Sequence, residues 1–189
     1  RHPEPTWIYS PPKGPRLNCQ GWASAIRLTS PLVARWNGKI AALYTRWACM
    51  RSGDTLASRS GATPSGYVLC VLNEETGREE WTRAFPYFSG ARLFPEAGLV
   101  TFSQGGLAVF DLERRDWRWS ITSSGSGACA AWASGDAVYV GNARGVLARL
   151  RAADGALVWR KAWPVAQEGR CAIEASGERL VYAIPGERL

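Results

Sequence analysis

The chain has 189 residues, 46% of them hydrophobic, with ten tryptophans and a formal net charge of +7 carried by 20 arginines and three lysines. That apolar and aromatic content excludes a disordered tail, and no apolar run reaches the roughly 18 residues of a membrane-crossing helix. A single histidine, His2 in a proline-rich start, excludes a histidine-built zinc site and leaves a Ser-His-Asp or Cys-His unit without a credible base.

In chain order the first element is a short strand at residues 6–9 carrying Trp7, followed by a Pro-rich segment at 11–21. Residues 30–45 read as strand, short turn, strand. Residues 50–66, rich in Gly, Ser, Thr and Arg and bearing Arg51 and Arg59, read as a long hairpin loop. Residues 72–81, LNEETGREEW, form a turn with Gly77 and end on Trp81. Residues 90–103 repeat the strand–turn–strand pattern, and 110–119, FDLERRDWRW, repeat the turn with Arg115 where Gly should stand and Trp119 at its end. A Gly/Ser link at 123–127 leads into 127–141, a third such hairpin. Residues 150–159, LRAADGALVW, then match 72–81 without a gap, Gly155 and Trp159 standing where Gly77 and Trp81 stand. The last hairpin, 169–183, begins Cys171-Ala-Ile-Glu-Ala-Ser-Gly, nearly the heptad that starts at Cys129, 42 residues earlier.

Trp81, Trp119 and Trp159 are 38 and 40 residues apart. A period near 40 with about four strands each is the signature of propeller blades, in which no repeat can bury its faces alone. The expected fold is all-β: a small β-propeller in one domain, residues 1–189. It has an N-terminal outer strand at about 6–9, blades at about 30–85, 90–122 and 127–163, and a partial blade at about 169–189. Four blades result if the two ends complete the last one together. The alternative is an open half-propeller that pairs with another chain as a homo-oligomer. The absent initiator Met suggests a mature product, an excised domain or an insertion in a larger protein.

The turn–Gly–Trp decads resemble the docking motif of the PQQ-type (quinoprotein-like) β-propeller repeat. In that family the Trp of one blade lies on the turn Gly of a neighbour, so the resemblance implies structural docking by Trp7, Trp81, Trp119 and Trp159 on glycines such as Gly77 and Gly155. A flat indole can lie on a glycine because no Cβ intervenes. Family members that are dehydrogenases hold a quinone and Ca²⁺ in an eight-bladed ring, with an adjacent Cys-Cys pair and acidic ligands. This sequence has no adjacent Cys pair and no recognisable ligand set. The resemblance therefore implies the fold without the redox activity. No catalytic, cofactor-binding or metal-binding residue is assigned, and no enzyme or cofactor is expected.

Three functions remain in view. The first is a non-catalytic scaffold that binds proteins in an extracytoplasmic or cell-surface assembly; family members used this way include a scaffold of outer-membrane protein insertion. Anchoring to a membrane would need a flanking segment. The second is binding of a polyanion, extracellular DNA or an acidic polysaccharide, by an Arg/Trp-rich face, Arg holding phosphates while exposed Trp stacks. The candidate contacts for either are Arg46, Trp47, Arg51, Arg59, Arg160 and Trp163. The third is a quinone-dependent oxidoreductase. The five cysteines, Cys19, Cys49, Cys70, Cys129 and Cys171, are read either as small buried apolar residues or as disulfide partners; their odd number leaves at least one unpaired within the chain.

Overall fold

The computed structural model describes residues 26–49, 62–103, 105–122, 128–164, 171–176 and 179–183. Among them every regular element is a β-strand, and every pairing is antiparallel. The chain divides into two compact units, residues 1–87 and 88–189. The expected outer strand at 6–9 lies outside the described residues, as do 50–61 with Arg51 and Arg59.

The first unit holds one four-stranded sheet of β1 (Ile26–Trp36), β2 (Lys39–Cys49), β3 (Ala62–Asn73) and β4 (Glu79–Phe85), in that spatial order. Asn37 and Gly38 join β1 to β2 with φ of 47° and 67°. That pair of left-handed residues suits the right-handed twist of a two-residue hairpin. β3 starts within the stretch that composition assigned to a loop. Ala62, Thr63 and Pro64 pair with Cys49, Ala48 and Trp47 across a bulge, so an available ladder partner overrides local composition. The central strands are buried on both faces. Ala41, Leu43, Leu69 and Val71 point one way; Ala42, Tyr44 and Cys70, packed with Val68, point the other. Cys70 is thus a free, buried thiol, which corrects its place among the candidate disulfide cysteines.

The second unit holds two more such sheets and a hairpin. The first sheet is β5 (Gly90–Phe94), β6 (Leu99–Ser103), β7 (Gly106–Asp111) and β8 (Asp116–Thr122). The second is β9 (Ala128–Ser134), β10 (Ala137–Asn142), β11 (Val146–Arg151) and β12 (Leu157–Ala162). A two-stranded sheet, β13 (Ala172–Ser176) and β14 (Arg179–Ala183), follows. Strand alternation gives the β9–β12 sheet two apolar faces. One presents Ala131, Ala133, Val138 and Leu150 to Phe94, Leu99, Leu107 and Val109 of the β5–β8 sheet. The other presents Ala130 and Leu147 to Ile173, with Trp132, Tyr139, Trp159, Leu180 and Tyr182 around them. Full burial of such a side chain contributes about 1.5–3 kcal/mol, so these two layers hold the unit together.

Each four-stranded sheet closes its third turn in the same way. The backbone N–H groups of Glu74, Leu112 and Ala152 donate to the carbonyls of Gly38, Gly98 and Asp136, tying that turn to the first hairpin of its own sheet. The turns are also capped by side chains. Asn73 Oδ1 accepts from the N–H groups of Glu75 and Thr76, and Asp111 Oδ1 from those of Glu113 and Arg114. The third copy has Arg151 at that position and uses Asp154, which accepts from Ala156 N–H. Arg115, at the position of the missing glycine, keeps the left-handed backbone, with φ of 56° against 66° at Gly77 and 75° at Gly155. The turn shape therefore survives the loss of its usual residue, at a cost of about 1 kcal/mol in backbone strain.

Candidate interaction surface

The Trp119 indole of β8 lies directly on Gly155, in the turn between β11 and β12. A Cβ built on Gly155 would meet the indole Cδ2 at 2.8 Å, and its φ of 75° is one that other residues adopt only with strain. Trp119 Nε1–H donates to the carbonyl oxygen of Ala152 at 2.9 Å, and Arg118 Nη1 donates to the same oxygen at 3.3 Å. Arg118 in turn makes a two-point ion pair with Asp111, its Nε 2.9 Å from Oδ2. Burial pushes the Asp111 carboxyl up, but the backbone N–H of Arg114, the Arg118 guanidinium and the Glu113 N–H together outweigh it and hold the group below the usual carboxylate range.

A second contact of this kind joins β9–β12 to the last hairpin, with the partners exchanged. Here the aromatic ring is Tyr182 on β14 and the glycine is Gly141 on β10. A Cβ there would meet Tyr182 Cε2 at 2.6 Å and Ile173 Cδ1 at 3.1 Å. The Tyr182 hydroxyl donates to the Asn142 carbonyl, and burial raises its pKa, so it stays protonated as a donor. Arg92 on β5 reaches the Ile173 carbonyl at 3.1 Å, so the first sheet of the unit also touches the hairpin. Cys171 is disulfide-bonded to a partner outside the described side chains.

The other residues singled out from the sequence fall as follows. Trp159 is half-buried against Tyr139, 6.1 Å between ring centroids, and against the Leu147–Ile173 layer. Trp81 and Gly77 are both half-buried in the first unit. Arg46 is half-buried opposite Gly66 on β3. Arg160 and Trp163 are exposed together along and just beyond β12, Trp163 at 44% and 6.0 Å from the Tyr182 ring. Trp7, Cys19, Arg51 and Arg59 lie outside the described residues, and the side chains of Trp47, Cys49 and Cys129 are likewise not described. Two features escaped the sequence reading: the Asp111–Arg118–Ala152 link and the Tyr182 contact. The Asp at a turn was legible; its arginine partner on the next strand and the carbonyl one sheet away were not.

Around the Trp163 end the second unit presents a surface that is both apolar and basic. Leu157 and Val158 of β12 are 61% and 54% exposed, and Arg160 and Lys161 follow them. The other arginines of this sheet carry carboxylate partners, Arg149 with Asp136 and Arg151 with Asp154. Among the described residues no group of three His, Cys, Asp or Glu side chains could hold a metal ion, and no helix is long and apolar enough to cross a membrane.

Antiparallel four-stranded sheets, hydrogen-bonded in chain order and capped by the same turn in each copy, define a propeller-blade repeat protein. The sequence profile of the family described as outer membrane protein assembly factor BamB matches residues 22–183, and the chain belongs to that family. A search of curated proteins finds no match. Among solved structures, BamB from Moraxella catarrhalis is 20% identical with a TM-score of 0.49, over 82% of this chain and 44% of that one. The chain thus spans less than half the length of that relative. The computationally designed Ika4 protein is 15% identical with a TM-score of 0.53, over 88% of this chain and 89% of the design, a likeness of fold alone.

Proposed function

We propose that this chain is a non-catalytic binding module in an extracytoplasmic assembly, where its blades present strand edges and loops to other proteins that assemble the outer membrane. The family match over residues 22–183 carries this reading. The sheets of the second unit, locked to one another by packed layers, suit recognition, because the ordering entropy is spent in folding and not at binding. The disulfide at Cys171 suits an oxidising compartment. Polyanion binding draws less support, since arginines 35, 118, 149 and 151 each face a carboxylate and bring correspondingly less free charge to a phosphate.

Photo-crosslinking in intact cells tests the reading, with benzoylphenylalanine at position 163. The expected result is covalent adducts with proteins that fold or insert outer-membrane proteins. Adducts with nucleic acid, or none with protein, would overturn it.

A further inference from the structure

We infer that the outer edge of β12 is a strand-addition site for an acidic, extended segment of a partner protein. This rests on the protein-binding reading above and specifies where the partner sits and what chemistry it brings. Among the described residues β12 pairs only with β11, and five of its six residues are exposed. Its backbone is presented in a definite phase. Trp163 N–H donates to the Gly145 carbonyl at 3.0 Å, and the register runs Ala162 opposite Val146, Lys161 opposite Leu147 and Arg160 opposite Ala148. Hydrogen-bonded and non-bonded pairs alternate along an antiparallel ladder. The N–H and C=O groups of Arg160 and Ala162 therefore point away from β11, two donors and two acceptors for an incoming strand.

The side chains choose the occupant. The outer strands β4 and β8 carry acidic residues: Glu79 and Glu80 on β4, where Glu80 pairs with Lys39, and Asp116 at the start of β8. β12 carries none; it reads Leu-Val-Trp-Arg-Lys-Ala. Arg160 and Lys161 project to opposite faces, and neither pairs with a carboxylate among the described residues. An added strand with adjacent acidic residues places one carboxylate on each face, opposite these cations, while its apolar residues cover Leu157 and Val158. A second copy of this chain fits poorly, because two β12 edges would set Arg160 and Lys161 against their own equivalents. Cations on an edge strand also serve simply to block self-pairing. Two neighbouring exposed aliphatic residues are what such a blocked edge would avoid.

The test uses the whole chain and a fluorescein-labelled octapeptide with two adjacent glutamates flanked by valines, followed by fluorescence anisotropy. Saturable binding that weakens with salt is expected, with at least tenfold loss when lysines replace the glutamates. Ala162→Pro removes only an outward-facing donor and leaves the β11–β12 ladder intact. It should cut affinity at least tenfold while the tryptophan emission spectrum is unchanged. Arg160→Glu with Lys161→Glu should reverse the preference toward the lysine peptide. Equal binding of both peptides, or of the acidic peptide to Ala162→Pro, overturns the proposal. So does a dimer of the chain that Ala162→Pro dissolves. Crosslinks at position 163 that survive in Ala162→Pro would leave the scaffold reading standing and remove this edge from it.

Discussion

The two junctions of the second unit are built from the same ingredients in opposite order. Where the β5–β8 sheet meets β9–β12, the earlier sheet supplies the aromatic ring, Trp119, and the later one the glycine, Gly155. Where β9–β12 meets β13–β14, the earlier sheet supplies Gly141 and the later one Tyr182. Each ring also donates a hydrogen bond to a backbone carbonyl of the glycine-bearing sheet, Ala152 or Asn142. The first junction has more besides: the buried Asp111 and its arginine lock the same carbonyl. The second joins a two-stranded sheet, which has little stability of its own, and adds the reach of Arg92 to the Ile173 carbonyl. A bare glycine that admits a ring is thus the common device, and the supports around it differ with the size of the sheet being held.

Trp119→Ala should be the most damaging change, costing about 3 kcal/mol because it opens a cavity and removes the donor to Ala152. Urea unfolding should show it as a lower midpoint. Asp111→Asn comes next, at about 2 kcal/mol, since a charge-assisted pair is lost. The carboxyl is held below its ordinary value in the folded chain, so its ionisation stabilises the fold above the usual carboxylate range. That contribution disappears as pH falls through the depressed value. The midpoint should therefore decline below about pH 4 in the parent chain, and decline less in Asp111→Asn. Tyr182→Phe keeps the ring on Gly141 and loses only the bond to Asn142, for about 1 kcal/mol. Faster amide exchange confined to β13 and β14 would mark it. Arg115→Gly should act with the opposite sign, raising stability by up to about 1 kcal/mol as the left-handed strain is relieved.

These contacts differ in how far the sequence discloses them. The decads ending at Trp81 and Trp159 could be aligned by eye because turn chemistry is local: a left-handed residue and a side-chain cap lie within six positions of one another. The degenerate copy ending at Trp119 was legible for the same reason, even with Arg115 in place of Gly. Tyr182 and Gly141 are 41 residues apart with no motif around either. Nothing local distinguishes a glycine that meets a ring from one that merely pairs in a strand. The β3 boundary was hidden in the same way, since Ala62, Thr63 and Pro64 read as loop until Trp47, Ala48 and Cys49 are seen opposite them. Of the candidate contacts, Arg160 and Trp163 proved to share an exposed edge, while Arg46 is half-buried within its own sheet.

A double-mutant cycle on Trp119→Ala and Gly155→Ala tests the ring-on-glycine device most directly. In the parent chain the added methyl meets the indole and also strains the backbone; with the indole gone only the strain, about 1 kcal/mol, should remain. The two substitutions should therefore be non-additive by about 1 kcal/mol or more, the double variant being more stable than the sum predicts. Strict additivity would mean that the indole and the glycine do not depend on each other, and would contradict the account.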